Sequence, residues 1–102
     1  MTKFLIKWKV ESFFNLPREE RLKLFIWMAE STKANIDAGF TKDWGISADT
    51  GSGYTIYEGT ETEVYEDLLK YRPFISFEVT PVISIDKHLE SLKKIATQIK
   101  PE

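Results

Sequence analysis

Residues 42–58 read KDWGISADTGSGYTIYE, the stretch of the chain that constrains its topology most strongly. Residues 42–48 and residues 53–58 alternate side chains between two faces, which is the period of a β-strand. Residues 49–53, DTGSG, are small and polar, a composition typical of a tight turn. The stretch therefore predicts an antiparallel hairpin in the middle of the chain.

Amphipathic segments lie on both sides of this hairpin. Residues 17–36 have a helical apolar period, and Gly39 can adopt the left-handed conformation that ends such a helix. After the hairpin, Thr60 and Glu63 form the two ends of a capping box, so a second helix begins there. Pro73 limits that helix, because the residue before a proline disfavours helical geometry. The predicted inward stripe of the first helix is Leu22, Phe25, Ile26, Ala29, Lys33 and Ile36.

Two further strands and one helix complete the chain. Residues 4–10 and residues 74–85 alternate apolar and polar side chains, and Pro81 places the second of these strands at a sheet edge or a bend. Asp86 is the predicted cap of a final helix. The order predicts an α+β fold, a single ferredoxin-like βαββαβ domain over residues 1–102 with a C-terminal helix. Its four-stranded antiparallel sheet should have the strand order 4-1-3-2.

The two faces of the predicted sheet differ in polarity. Both helices should cover the more apolar face and leave the other face open. We assign Phe4, Ile6, Trp8, Trp44, Ile46, Tyr54, Ile56, Ile75, Phe77 and Val79 to the covered face. We assign Leu5, Lys7, Lys9, Ser47, Thr55, Tyr57, Ser76, Glu78 and Thr80 to the open face. Leu24, Trp27 and Met28 lie off the stripe of the first helix, so we expect the final helix or a second subunit to cover them.

Composition argues against several classes of protein. Of the 102 residues, 42% are hydrophobic and 29% are charged, as in a globular domain. The net charge of −2 and the interspersed signs argue against nucleic acid as a partner. The absence of cysteine excludes disulfides and thiolate chemistry. No apolar run is long enough to span a bilayer, and lysines interrupt the first 14 residues, so we expect a soluble cytoplasmic protein without membrane contact.

Two segments carry a resemblance to a known group of proteins. Residues 71–82, YRPFISFEVTPV, together with residues 4–10, FLIKWKV, resemble a family of small uncharacterised proteins in the dimeric α+β barrel superfamily. The resemblance implies a homodimer in which two ferredoxin-like sheets face each other and enclose a pocket. It implies a small-molecule-binding protein, and it leaves open a cofactor-free isomerase or monooxygenase, or a purely structural or regulatory dimer.

The candidate ligand-binding residues are Lys7, Lys9, Tyr57 and Glu78, which we expect on the open face. Two lysines beside a carboxylate and a phenol suit a small anionic or oxygenated ligand. The alternative is that the lysines and Glu78 form cross-strand ion pairs, which contribute about 0.2–1 kcal/mol each. No catalytic set of the superfamily can be mapped onto the sequence, so the catalytic residues stay open.

Three other signals have simpler explanations. Asp49-Thr50-Gly51-Ser52 spells the aspartic-protease tetrapeptide, but the capped helix that follows the next strand favours a plain hairpin turn. The βαββαβ order is also that of RNA-recognition domains, but a stacking ring and a leading basic residue are missing on the third strand. His88 is the sole histidine and has charged neighbours, so we expect it at the surface. We therefore predict neither a metal site nor a cofactor.

Overall fold

A computed structural model describes residues 2–11 and 16–99 of the chain. Its elements are β1 (Thr2–Val10), α1 (Arg18–Asp37), β2 (Thr41–Ile46), β3 (Ser52–Gly59), α2 (Glu61–Leu69), β4 (Ile75–Val82) and α3 (Ile85–Ala96). This order confirms the predicted α+β fold with its C-terminal helix. Within the described ranges, no helix is long and apolar enough to cross a membrane.

The four strands form one antiparallel sheet in the order β2-β3-β1-β4, which confirms the predicted order 4-1-3-2. β1 lies inside the sheet, where Ile6 pairs with Thr55 on one side and Val79 on the other. Ile6 has no exposed surface. Pro81 lies in β4, at the edge of the sheet. An edge strand has no neighbour on its outer side, so a proline without an N–H is tolerated there.

The connection between β2 and β3 is the predicted hairpin turn. Asp49 Oδ1 accepts hydrogen bonds from the Ser47 hydroxyl at 2.5 Å and the Gly51 N–H at 3.0 Å. Both bonds lower the pKa of Asp49, and the bond from Ser47 has the larger effect. Thr50 takes the left-handed conformation, with φ of 63°. The Asp49 carboxylate thus holds the turn together.

Gly39 follows the last turn of α1 and stops the helix, as predicted. Gly39 has a φ of +88°, a region that favours glycine because it has no Cβ. The Phe40 N–H donates to the Asn35 carbonyl at 3.0 Å, and the Gly39 N–H donates to the Ile36 carbonyl at 3.1 Å. These two bonds form a Schellman motif, which satisfies carbonyls at the helix end.

The inward face of α1 differs from the predicted stripe. Met28 is buried and Leu24 is half-buried, and both pack in a cluster with Trp8, Tyr71 and Ile75. Ile26 and Ile36, which were expected to face the sheet, are exposed. Apolar residues occur around most of α1, so the three-four spacing fits more than one face.

Two aromatic stacks mark the ends of the core. Trp8 stacks on Trp44 with ring centroids 5.8 Å apart, and Phe40 stacks on Tyr57 at the same distance. The first stack belongs to the cluster around Met28 and Tyr71, and the second to a cluster of Phe4, Ile6, Tyr57 and Val64. The core is therefore divided along the direction of β1.

α3 begins two residues earlier than predicted, because Ser84 and not Asp86 is its cap. The Ser84 hydroxyl accepts the Lys87 N–H at 3.1 Å, while Asp86 lies in the first turn.

Every residue from Ile83 to Ile99 is exposed, including His88 as expected. The radius of gyration is 18.1 Å, against about 13 Å for a compact chain of this length. α3 of the same chain therefore does not cover α1.

Candidate ligand-binding cavity

The structure corrects the predicted position of Tyr57. In the register of β1 and β3, Tyr57 pairs with Phe4, and Thr55 pairs with Ile6. Residues paired in register share a face, so Tyr57 and Thr55 point to the helix-covered side. Tyr54 and Ile56, expected on that side, lie on the open face instead. The expectation that Tyr57 lies beside the two lysines and Glu78 is therefore wrong.

The other three predicted ligand-binding residues do share the open face. Lys7 lies directly opposite Glu78 in the register of β1 and β4, and Lys9 lies two residues further along β1. All three side chains are exposed. Within residues 2–11 and 16–99, no ion pair joins either lysine to Glu78. The structure brings the three residues together, and their binding of a ligand stays a prediction.

A cavity of about 510 Å³ lies on the covered face, between α1 and the sheet. The sheet side is mainly apolar and aromatic: Ile6, Trp8, Val10, Trp44, Ile46, Ile75 and Phe77. The α1 side consists of Leu22, Phe25, Met28, Ala29, Thr32 and Asn35. Because Leu22, Phe25 and Ile46 are also exposed, the cavity opens to the surface near the start of α1.

The opposite end of the cavity is polar. Thr41, Tyr57, Asn35 and Asp67 line it. The Asn35 side-chain N–H group donates to both carboxylate oxygens of Asp67, at 3.0 and 2.9 Å, and so joins α1 to α2. Lys70 also donates to Asp67, at 3.2 Å. The cavity thus has an apolar body and a hydrogen-bonding end.

Two buried hydroxyl groups at this end have no hydrogen-bond partner in the described part of the chain. They belong to Tyr57, which is 4% exposed, and Thr41, which is 6% exposed. Among the described residues, the side-chain atoms that have neither accessible surface nor a hydrogen-bond partner are Trp8 Nε1 and Arg21 Nε. The two hydroxyls are not among these atoms, so each hydroxyl keeps some accessible surface. Burial, followed by the charges of Asp67 and Glu63, raises the pKa of Tyr57 to about 12. The phenol is therefore neutral at physiological pH.

Comparison with models of protein families identifies the family of the chain. A model of the family described as "Domain of unknown function (DUF3303)" matches residues 2–96. The chain belongs to the DUF3303 family. No curated protein matches the chain. The matched range of this DUF3303 domain runs from the start of β1 to the end of α3, so it includes the cavity, the open face and the C-terminal helix.

Four polar residues of the cavity in this DUF3303 domain were not predicted from the sequence: Thr32, Asn35, Thr41 and Asp67. The available signal was the row of Ser31, Thr32 and Asn35, which follows Met28 at helical spacing. Polar residues on the inward side of a helix indicate either hydrogen bonds to neighbouring elements or a cavity. Because a different stripe of α1 was assigned to the core, this row was assigned no role.

Nothing in the described part of this DUF3303 domain forms a metal centre. No three His, Asp or Glu side chains within residues 2–11 and 16–99 come close enough to hold an ion. The cavity offers apolar walls, the two unpartnered hydroxyls of Thr41 and Tyr57, and the amide–carboxylate pair of Asn35 and Asp67. These groups can bind and orient a small molecule.

Proposed function

We propose that this DUF3303 domain binds a small, mainly apolar molecule in the cavity between α1 and the sheet. The cavity itself supports the proposal, since its volume of about 510 Å³ lies within the roughly 300–1,000 Å³ of small-molecule sites. Protein interiors are otherwise packed as closely as organic crystals. An apolar space of this size beside Trp8 and Met28 leaves dispersion contacts unmade, and a bound molecule would restore them.

The test is binding of the neutral fluorescent dye N-phenyl-1-naphthylamine to two variants of α1. Ala29 lines the cavity, whereas Ala34 lies on the same helix, is exposed and does not line it. Ala29→Phe should fill part of the cavity and weaken dye binding at least about tenfold. Ala34→Phe adds the same ring elsewhere and should leave the affinity unchanged. Equal affinities in wild type and both variants would contradict binding in this cavity.

A second copy of the chain is the proposed partner, in agreement with the resemblance to dimeric α+β barrels. The open face has an apolar centre, since Leu5 and Ile56 lie opposite each other and both are half-buried. Four strands about 4.8 Å apart and about eight residues long give roughly 500 Å² per face. Two such faces reach only the low end of a stable interface, so we propose that α3 contributes further area.

This dimer would place Lys7, Lys9 and Glu78 between the two sheets, where the sequence analysis expects an anionic or oxygenated ligand. Native mass spectra before and after denaturation measure both the subunit number and any retained molecule. Loss of that molecule in Lys7→Ala or Glu78→Ala, but not in Ala29→Phe, would locate the site between the sheets. Loss in Ala29→Phe alone would locate it beneath α1. A monomeric spectrum would contradict the dimer.

A further inference from the structure

We infer that the cavity selects an uncharged ligand with a hydrogen-bond-accepting oxygen at one end, bound by the hydroxyls of Tyr57 and Thr41. This inference rests on the proposed function, because it assigns the chemical class of the molecule in the same cavity. An apolar body of this molecule would lie against Trp8 and Met28, towards the open end.

The hydroxyl groups that line the cavity fall into two sets. Thr32 donates to the Met28 carbonyl at 2.9 Å, and Tyr71 donates to the Ser31 hydroxyl at 3.1 Å. Thr50 donates to the Asp49 carbonyl at 2.6 Å, and Thr55 donates to the Asp43 carbonyl at 3.1 Å. These side chains are satisfied within the protein. Thr41 and Tyr57 are not, although they are more than nine-tenths buried. Because a buried hydroxyl without a partner is unfavourable and both groups keep some accessible surface, they can take a hydrogen-bond partner from the cavity.

The register brings these two side chains together. Thr41 on β2 pairs with Tyr57 on β3, next to a bulge at the start of β2. Directly paired residues on one face have Cβ atoms about 5 Å apart. The Tyr57 ring extends from its Cβ over Gly59. A ligand that lies along this end of the cavity can therefore contact both side chains.

Charge at this end of the cavity disfavours an anion and favours a neutral acceptor, although Lys70 partly offsets the charge of Asp67. Asp67 and Glu63 both act on the Tyr57 phenol electrostatically. The Asp67 oxygens already accept hydrogen bonds from Asn35, so they do not need a donor from the ligand. The protonated Tyr57 and Thr41 hydroxyls can both donate, and a carbonyl oxygen accepts two such bonds. A carboxylate at the same position would be repelled by Asp67 and Glu63.

The experiment compares three naphthalene probes by equilibrium dialysis with the full chain. The probes are 2-acetylnaphthalene, the nearly isosteric hydrocarbon 2-isopropenylnaphthalene, and 2-naphthoate. The variants are Tyr57→Phe, Thr41→Val and their combination, with Tyr54→Phe as the control. Tyr54 has a hydroxyl of the same kind, but it donates to Asp43 on the open face at 3.0 Å.

For the ketone, we expect each single variant to bind about three- to tenfold more weakly, which is the effect of one hydrogen bond. The hydrocarbon should bind all variants within twofold of wild type, which also shows that the cavity is still folded. Naphthoate should bind wild type at least tenfold more weakly than the ketone. Tyr54→Phe should change none of these affinities.

Two results separate the inference from the proposed function. If the ketone and the hydrocarbon both bind, and neither Tyr57→Phe nor Thr41→Val changes their ratio, the hydroxyls do not select the ligand. The proposed cavity function would then still hold. If no probe binds wild type, both the inference and the proposed function are wrong. Naphthoate binding as tightly as the ketone would overturn the assignment of an uncharged ligand.

Discussion

The Tyr57 phenol gives the cavity a titration behaviour that can be measured directly. Because burial and the nearby carboxylates raise the pKa of Tyr57 to about 12, this residue should ionise after an unshifted tyrosine. An ultraviolet titration of tyrosinate absorbance should show a late step, and Tyr57→Phe should remove it. Tyr54, whose pKa is raised by its hydrogen bond to Asp43, is the comparison residue. A late step that is kept in Tyr57→Phe and lost in Tyr54→Phe would contradict the assignment.

The same shift predicts how stability depends on alkaline pH. Between about pH 10 and 12 the folded protein keeps the Tyr57 proton while the unfolded chain releases it. The free energy of unfolding should therefore fall as pH rises, by on the order of 1 kcal/mol per pH unit from this group. Urea unfolding at pH 9 and pH 11 measures the fall, which should be smaller in Tyr57→Phe. An identical fall in wild type and variant would show that Tyr57 is not the cause.

The hydrogen bonds from Asn35 to Asp67 are the polar link between α1 and α2. A hydrogen bond to a charged group contributes about 1.5–3 kcal/mol, and Asp67 has little exposed surface. We expect Asn35→Ala to lower the free energy of unfolding by about 2 kcal/mol. Lys70→Ala is the matched control, since it removes a more exposed partner of the same carboxylate and should cost less than about 1 kcal/mol. Equal losses in the two variants would contradict this division.

The face of Tyr57 shows what residue patterns alone do not determine. On β3, one face carries Tyr54 and Ile56 and the other carries Thr55 and Tyr57, so each has one aromatic and one β-branched residue. Alternation identifies the strand but not its inward side. The pairing of Tyr57 with Phe4 decides the side, and a shift of one residue would exchange the two faces. The cavity residues on β3 were therefore not predictable from local pattern.

At the scale of elements, α2 depends on its first turn. The Thr60 hydroxyl accepts the Glu63 N–H at 3.1 Å, and the Glu63 carboxylate accepts the Thr60 N–H at 2.9 Å. This capping box was predicted from the sequence and is confirmed. We expect Thr60→Ala to lower the free energy of unfolding by about 1 kcal/mol, whereas Thr62→Ala, within the helix, should change it by less than about 0.5 kcal/mol. Thermal unfolding followed by circular dichroism measures both, and a larger loss in Thr62→Ala would contradict the role of the cap.

α1 shows why the cavity was not predictable from an apolar stripe. The predicted stripe included Leu22, Phe25 and Ala29, which line the cavity, but it omitted Met28. A helix that is apolar on most sides gives no single direction for the core. The helix bounds, by contrast, were predictable, because Gly39 and the capping box of α2 are local signals that act through backbone hydrogen bonds.

At the scale of the whole molecule, the order of elements was sufficient to predict the strand order. Helices that return on one side of an antiparallel sheet leave few allowed topologies, and the observed order β2-β3-β1-β4 is the expected one. The position of α3 follows from no such rule, because no further strand follows it and returns the chain to the sheet. The longest dimension of the chain is 68 Å against 27 and 24 Å, so α3 extends from the body.

This extended helix is the strongest reason to expect a partner. The apolar residues of α3 and the turn after it, Ile85, Leu89, Leu92, Ile95 and Ile99, are between 48% and 75% exposed. An isolated helix of 12 residues is marginal in water, so α3 needs cover to be stable. The match to the DUF3303 family includes α3. Two copies of the chain could exchange this helix and so bury its apolar residues at low free-energy cost.

The proposed dimer therefore predicts the effect of a charge in this stripe. Leu89→Glu and Leu92→Glu should each shift the dimer towards monomer at least tenfold in dissociation constant, because burial of an unpaired carboxylate is unfavourable. Sedimentation equilibrium measures this shift, and circular dichroism should show loss of helix on dissociation. Lys94→Glu places the same carboxylate on the opposite face of α3 and should leave the dimer intact. If the wild type is a dimer and neither Leu89→Glu nor Leu92→Glu weakens it, the open sheet faces alone hold the subunits together. α3 would then need another partner.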